Sequence, residues 1–164
     1  MIIDKIKKKQ NIRLFIMDVD GTLTDGKIYM SDKGELFKAF SIKDGHGIKN
    51  LLPAANIIPV VITGRESRFV EIRCKELGIK HIIQGCQNKI EAINKLVADA
   101  NLSWENVAYI GDDEIDLECM RHACLAGCPA NAIDSIIGVS DFVSKRDGGD
   151  GAVRDFIEWI VSTK

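Results

Sequence analysis

Residues 15–17, Phe-Ile-Met, run straight into Asp18-Val19-Asp20-Gly21-Thr22, and this junction restricts the fold more than any other stretch of the chain. A continuous apolar run reads as a strand buried on both faces of a parallel sheet. In open α/β sheets, ligands bind beyond the carboxyl ends of the strands. Two carboxylates one residue apart therefore stand where a site is expected. Neighbouring anions repel unless a cation joins them, and a hard divalent ion such as Mg²⁺, which takes oxygen ligands, suits the pair. Taken alone, Asp-x-Asp-Gly also reads as a strand end and a turn. The rest of the chain decides between the two.

Strand and helix patterns alternate along the sequence. Strands are predicted over residues 12–17, 58–62, 81–83 and 106–110, with short candidates at 124–127 and 142–143. Helices are predicted over 47–55, 66–77 (closed by Gly78), 88–100, 115–122 and 152–161. Residues 27–40 differ: two short β-like runs flank Ser31-Asp32-Lys33-Gly34, a hairpin turn. The alternation predicts an α/β fold, a doubly wound parallel sheet with a small inserted hairpin and no cap domain. With 164 residues and no linker or repeat, one domain over 1–164 is expected.

Composition excludes several classes. Net charge is −2, so there is no global electrostatic case for nucleic acid. Lys5, Lys7, Lys8 and Lys9 form a local basic run, expected as a solvated, frayed tail. No apolar run approaches the length of a membrane span, and the first one stops at Asp18, which is not a leader pattern. The five cysteines are odd in number and lack a Cys-x-x-Cys pair. They read as reduced thiols of a cytoplasmic protein, and Cys124 and Cys128 lack the second ligand pair of a zinc site.

The predicted strand ends collect the chemistry. The first ends in Asp18 and Asp20, the second in Thr63-Gly64, the fourth in Gly111-Asp112-Asp113 with Asp116 beyond, and Lys89 opens a helix. If these strands are parallel neighbours, all four clusters meet in one crevice. That set suits phosphoryl transfer. A carboxylate can attack phosphorus once charge is neutralised, giving an aspartyl-phosphate. A second carboxylate two residues on can serve as general acid and then base. A threonine hydroxyl and a lysine ammonium can hold the phosphoryl oxygens. Asp112 and Asp113 can complete the Mg²⁺ shell, partly through water.

Asp18-Val19-Asp20-Gly21-Thr22, Ile62-Thr63-Gly64-Arg65, Lys89 and Gly111-Asp112-Asp113-Glu114-Ile115-Asp116 resemble the four motifs of the haloacid dehalogenase superfamily of phosphatases. The spacing leaves no room for a large cap. More narrowly, residues 25–30, 38–45, 85–89, 106–113 and 148–154 resemble its capless, tetrameric subfamily acting on 3-deoxy-D-manno-octulosonate 8-phosphate. The resemblance implies Asp18 as nucleophile and metal ligand, and Asp20 as acid/base that also gives its carbonyl to Mg²⁺. It implies Asp112 as the third protein ligand, with Asp113 and Asp116 in support. Thr63 and Lys89 would hold phosphate. Ser41, Lys43, Asp44, Gly45, Lys49, Arg65 and Arg73 would meet the sugar acid. Lys49 stands where that subfamily is expected to carry arginine; it keeps the charge and loses the bidentate fork. A small-molecule sugar acid phosphate, a homotetramer, and no nucleic acid or membrane partner are the implied associations.

Three alternatives stand beside this reading. A nine-carbon keto-sugar-acid 9-phosphate phosphatase belongs to the same capless group, and Arg65, where that enzyme is expected to carry an acid, favours the eight-carbon substrate. Related domains also serve as non-catalytic oligomerisation modules, but no catalytic residue is missing here. A response-regulator receiver uses similar groups in another order, with the acidic pair first and the phospho-accepting aspartate later. Here the Asp-x-Asp leads.

Overall fold

Strand β1 (Leu14–Met17) sends successive side chains to opposite faces: Phe15 and Met17 enter one core, Leu14 and Ile16 the other, all four buried. The same division repeats in β4 (Ile58–Ile62) and β6 (Val107–Ile110). A strand apolar on both faces needs helices on both sides, and the sequence supplies them. The structure, a computed structural model, describes residues 2–163.

With β5 (His81–Ile83), β7 (Leu125–Cys128) and β8 (Phe142–Val143), these strands form a six-stranded sheet of order β5-β4-β1-β6-β7-β8, parallel throughout. The chain winds outward from β1 through β4 to β5, then returns to β6 on the other side of β1. This reversal is the topological switch point at which doubly wound folds bind ligands. Met17 pairs with both Val61 and Ile110, so the carboxyl ends of β1, β4 and β6 lie level.

One face is covered by α8 (Ala152–Val161), whose Val153, Phe156, Ile157 and Ile160 form a buried stripe, and by α4 (Arg68–Leu77). The Phe156 ring meets Phe15 and Phe142, each at 5.5 Å between centroids. The other face is covered by α5 (Lys89–Asp99), α6 (Glu114–His122) and α7 (Asp134–Ile137). The hairpin of β2 (Tyr29–Ser31) and β3 (Gly34–Phe37) stands apart from the sheet, held by the stacked rings of Tyr29 and Phe37.

Four local expectations change. The basic N-terminal run is helical, in α1 (Ile2–Asn11), not a frayed tail. Lys9 is buried there with Nζ 3.8 Å from the Trp159 ring centroid; burial, with Lys5 beside it, pulls its ammonium down. The helix predicted over 47–55 begins earlier, as α2 (Ile42–His46), capped by the Ser41 side chain. It continues through a π-helical turn (Gly47–Leu51) into α3 (Leu52–Ala54). Gly45 and Gly47, poor helix formers, concealed its start. The strand predicted over 12–17 is shorter at its start, and that over 124–127 sits one residue later. The glycine-rich segment 147–151 packs on the turn after β1: Gly149 N donates to Thr22 O at 3.2 Å, and a side chain at Gly148 would strike the Gly21 carbonyl.

Candidate active site

The turn after β1 brings Asp18 into the protein with only 3% of its surface exposed. Asp18 N is held by Ile110 O at 3.1 Å, which ties the turn to β6. From the first turn of α5, Lys89 sends its ammonium to Asp18 Oδ1 (2.6 Å) and Asp116 Oδ1 (2.8 Å). It too is buried. Burial disfavours its charge, but the two carboxylates outweigh that and hold its pKa above the ordinary value. Thr63 is buried directly after β4, its N–H bonded to Ile83 O.

Asp116, buried in the first turn of α6, spends both oxygens on the protein. Oδ1 accepts from Lys89 and from the Tyr109 hydroxyl at 2.6 Å, and Oδ2 from Asp112 N at 3.1 Å and Asp113 N at 3.4 Å. It organises the loop after β6. Asp113 is exposed and caps α6 by accepting from Glu114 N. Asp112 accepts from the Thr22 hydroxyl through Oδ1 at 2.8 Å. Gly21, at φ +91°, lets this carboxylate lie against the β1 turn, where any Cβ would collide with it.

Asp18, Asp112 and Asp116 carry oxygens within 4.8 Å of one another. Among the described residues no donor reaches Asp18 Oδ2, Asp112 Oδ2 or the carbonyl of Asp20. Three uncommitted oxygens at the sheet's switch point fit a hard divalent cation. Burial, reinforced by Asp116 against the pull of Lys89, pushes the Asp18 carboxyl up to about 8. Burial raises Asp112 to about 6 despite the Thr22 hydrogen bond. Protons therefore compete with metal for the same oxygens. Mg²⁺ affinity measured by calorimetry should tighten steadily from pH 6 to pH 8; an affinity independent of pH would contradict that competition.

Asp20 is only partly buried and forms an ion pair with Lys38, which follows β3; Arg65 Nη1 lies 3.8 Å away. Glu35, in β3, accepts from Arg65 at 3.3 Å and from Ser67 Oγ at 2.8 Å, and pairs with Lys38 at 3.0 Å. The structure thus gives two sets of contacts at this edge of the sheet, Asp18 with Lys89, Asp116 and the Asp112 loop, and Asp20 with Lys38, Glu35 and Arg65, with Thr63 following the level strand β4.

The remaining residues expected to bind substrate lie elsewhere. Gly45, Lys49 and Arg73 line a groove of about 220 Å³, and Arg73 also lines one of about 310 Å³ that reaches Lys38. Arg73 donates to Ser41 O and Glu76, and Lys49 to Glu76 O. Lys43 is exposed. Asp44 departs from expectation: it is 1% exposed and accepts from Arg154 N at 2.8 Å. It ties α2 to the start of α8 and is not open to a ligand. Burial raises its carboxyl to about 6.

Lys38, Glu35, Thr22 and Tyr109 were not singled out from sequence. Tyr109 carried a signal, since a hydroxyl inside an apolar strand must find a partner. Lys38 opens the 38–45 stretch that carries the family resemblance, but neither its chemistry nor that of Glu35 pointed to a role, because a charged hairpin is ordinarily solvated.

Known proteins resemble this chain closely. Residues 78–157 match the haloacid dehalogenase-like hydrolase family. The 3-deoxy-D-manno-octulosonate 8-phosphate phosphatase KdsC of Escherichia coli is 44% identical over 158 residues, covering 96% of this chain and 84% of that protein. Among solved structures, the phosphatase of the same name from Moraxella catarrhalis, in complex with magnesium, phosphate and KDO, superposes with a TM-score of 0.94 at 40% identity. The match covers 100% of this chain and 94% of that one. The Yersinia pestis phosphatase gives a TM-score of 0.92 at 41% identity, over 98% of this chain and 86% of that one.

Proposed function

Because the chain belongs to the 3-deoxy-D-manno-octulosonate 8-phosphate phosphatases, a family of haloacid dehalogenase-like hydrolases, we propose that it hydrolyses that phosphomonoester, with residues 1–164 acting as one cap-free catalytic domain. The carrying observation is the buried Lys89–Asp18 contact beside uncommitted oxygens of Asp18 and Asp112. Asp18, Asp112 and the Asp20 carbonyl would hold Mg²⁺, which when bound offsets the charge that keeps a carboxylate from a phosphate.

An Asp18 oxygen attacks phosphorus and the P–O bond to the sugar breaks. The leaving oxygen takes a proton from Asp20. Asp20 then accepts a proton from water as that water attacks the aspartyl-phosphate, and phosphate departs with Asp18 restored. Lys89 and Thr63 stabilise the phosphoryl oxygens. Asp116 holds Lys89 in place, and Asp113 shapes the loop.

Phosphate release screened across keto-sugar-acid phosphates tests the reading. Turnover should be fastest on the eight-carbon 8-phosphate and stop with EDTA. Preference for the nine-carbon 9-phosphate, or full activity after exhaustive chelation, would overturn it.

Arg65 is the proposed partner of the sugar-acid carboxylate. Its side chain is 43% exposed beside Asp20, and its planar fork suits that group. A hydrogen bond to a charged group is worth about 1.5–3 kcal/mol, so Arg65→Ala should lower kcat/KM on the sugar acid phosphate by about 10- to 150-fold. Turnover of p-nitrophenyl phosphate should fall far less. Equal losses on both would move Arg65 to the phosphate site or the fold.

We infer a cytoplasmic homotetramer. Five free cysteines fit a reducing compartment. The hairpin exposes Ile28, Met30, Leu36 and Phe37, an apolar patch suited to burial between subunits. Light scattering at micromolar concentration should report four chains; a monomer would exclude the assembly.

A further inference from the structure

Lys38 is the least exposed cation of the hairpin region, with 2% of its side chain accessible. Its ammonium stands between two carboxylates, Asp20 Oδ1 and Glu35 Oε1. Glu35 is itself fixed from the other side, by Ser67 Oγ at the start of α4 and by Arg65. Ser67 is in turn held by Gln84, which accepts from its N–H at 2.9 Å. Burial works against ionisation of Glu35, yet Lys38, Ser67 and Arg65 prevail and keep its carboxyl below the ordinary range. A chain of paired groups thus runs from α4 through the hairpin to Asp20. Oδ1 of Asp20 accepts the hydrogen bond from Lys38, and Arg65 Nη1 lies 3.8 Å from Oδ2.

We propose that Lys38, braced by Glu35, is a positioning residue for the proton-transferring carboxylate Asp20. The ammonium fixes one oxygen of Asp20 and leaves the other to give its proton to the leaving oxygen. A carboxylate held on one side keeps the donor within reach of a substrate oxygen, which general acid catalysis requires before any matching of acidity. Lys38 also compensates the negative charge that appears on Asp20 when the proton leaves. The hairpin is thereby part of the acid machinery, although it lies outside the catalytic sheet. This inference rests on the phosphatase reading above, in which Asp20 is the acid.

The test is the dependence of kcat/KM on the leaving group, measured on substrates with no carboxylate. This parameter covers the steps through P–O cleavage. p-Nitrophenyl phosphate has a leaving group that departs without a proton; glycerol 2-phosphate has one that needs it. Lys38→Met should lower kcat/KM on glycerol 2-phosphate by about 100-fold and on p-nitrophenyl phosphate by no more than about threefold, since general acid catalysis contributes at least that larger factor. Lys38→Arg should restore most of the loss. Glu35→Gln, which weakens the brace and keeps its shape, should show the same selective loss to a smaller degree, and it decides the matter if Lys38→Met does not fold. Equal losses on both substrates, or none on either, would overturn the proposal. So would a loss confined to the carboxylate-bearing sugar acid phosphate, which would make Lys38 a substrate contact. Failure of the wild type to hydrolyse any phosphomonoester would instead sink the phosphatase reading itself.

Discussion

Asp18→Asn is expected to leave less than about 1% of the wild-type rate of phosphate release, because an amide is too weak a nucleophile to form the acyl phosphate. Retained turnover above that level would remove the aspartyl-phosphate from the mechanism. The same substitution should not destabilise the metal-free protein. Burial and Asp116 raise the Asp18 carboxyl to about 8, far above the value near 4 of an unfolded chain. The folded state therefore holds this proton more tightly than the unfolded state. Its contribution to stability is full below about pH 4 and is lost as pH rises toward 8. Asparagine has no such proton to lose. Without Mg²⁺, the Tm of Asp18→Asn relative to wild type should climb between pH 5 and pH 8. A Tm difference flat over that interval would mean that Asp18 carries no such penalty.

Lys89→Met should do the opposite and harm stability as well as rate. It removes the ammonium that contacts Asp18 at 2.6 Å and Asp116 at 2.8 Å. The buried Asp116 carboxylate would then lose its cation, and Asp18 the donor on its Oδ1. Removing one partner of a buried ion pair costs about 3–5 kcal/mol, which for a chain of this size lowers Tm by roughly 6–20 °C. Because the folded pKa of Lys89 is raised, its stabilisation is present across neutral pH and lost only in the alkaline range. Loss of a preorganised donor should lower kcat by about 100- to 1,000-fold. Added Mg²⁺ should recover part of the stability, since it returns positive charge to Asp18, and little of the rate. Unchanged melting at pH 7 would show that buried Asp116 does not depend on this cation, which would overturn the role given to Lys89.

The contrast between these variants shows where the sequence was legible. A continuous apolar run is a local property of β1, β4 and β6, so these runs announced their strands and the strand–helix alternation announced the sheet. Once strands are parallel, their carboxyl ends share one edge. Asp18, Thr63 and Asp112 were therefore placed together without knowledge of a single contact. Lys89 followed because it opens the helix that enters the same edge. Less visible were the features set by how elements dock. Nothing near Asp116 in sequence says that Lys89 and Tyr109 will use one of its oxygens and two main-chain amides the other. Nothing near Asp44 announces Arg154 N, 110 residues away, as its partner.

The sequence by itself determined the doubly wound sheet and the carboxylate-and-lysine cluster at its switch point, because strand periodicity and strand direction are written locally. Only the tertiary structure decided which oxygens remain free for a cation, that the N-terminal lysines form a helix packed on Trp159, and that Lys38 and Glu35 of the hairpin reach Asp20. Those outcomes depend on burial and on charges brought together from distant parts of the chain. A charged side chain on a short hairpin is solvated by default, and only the docking of that hairpin against α4 gives it partners.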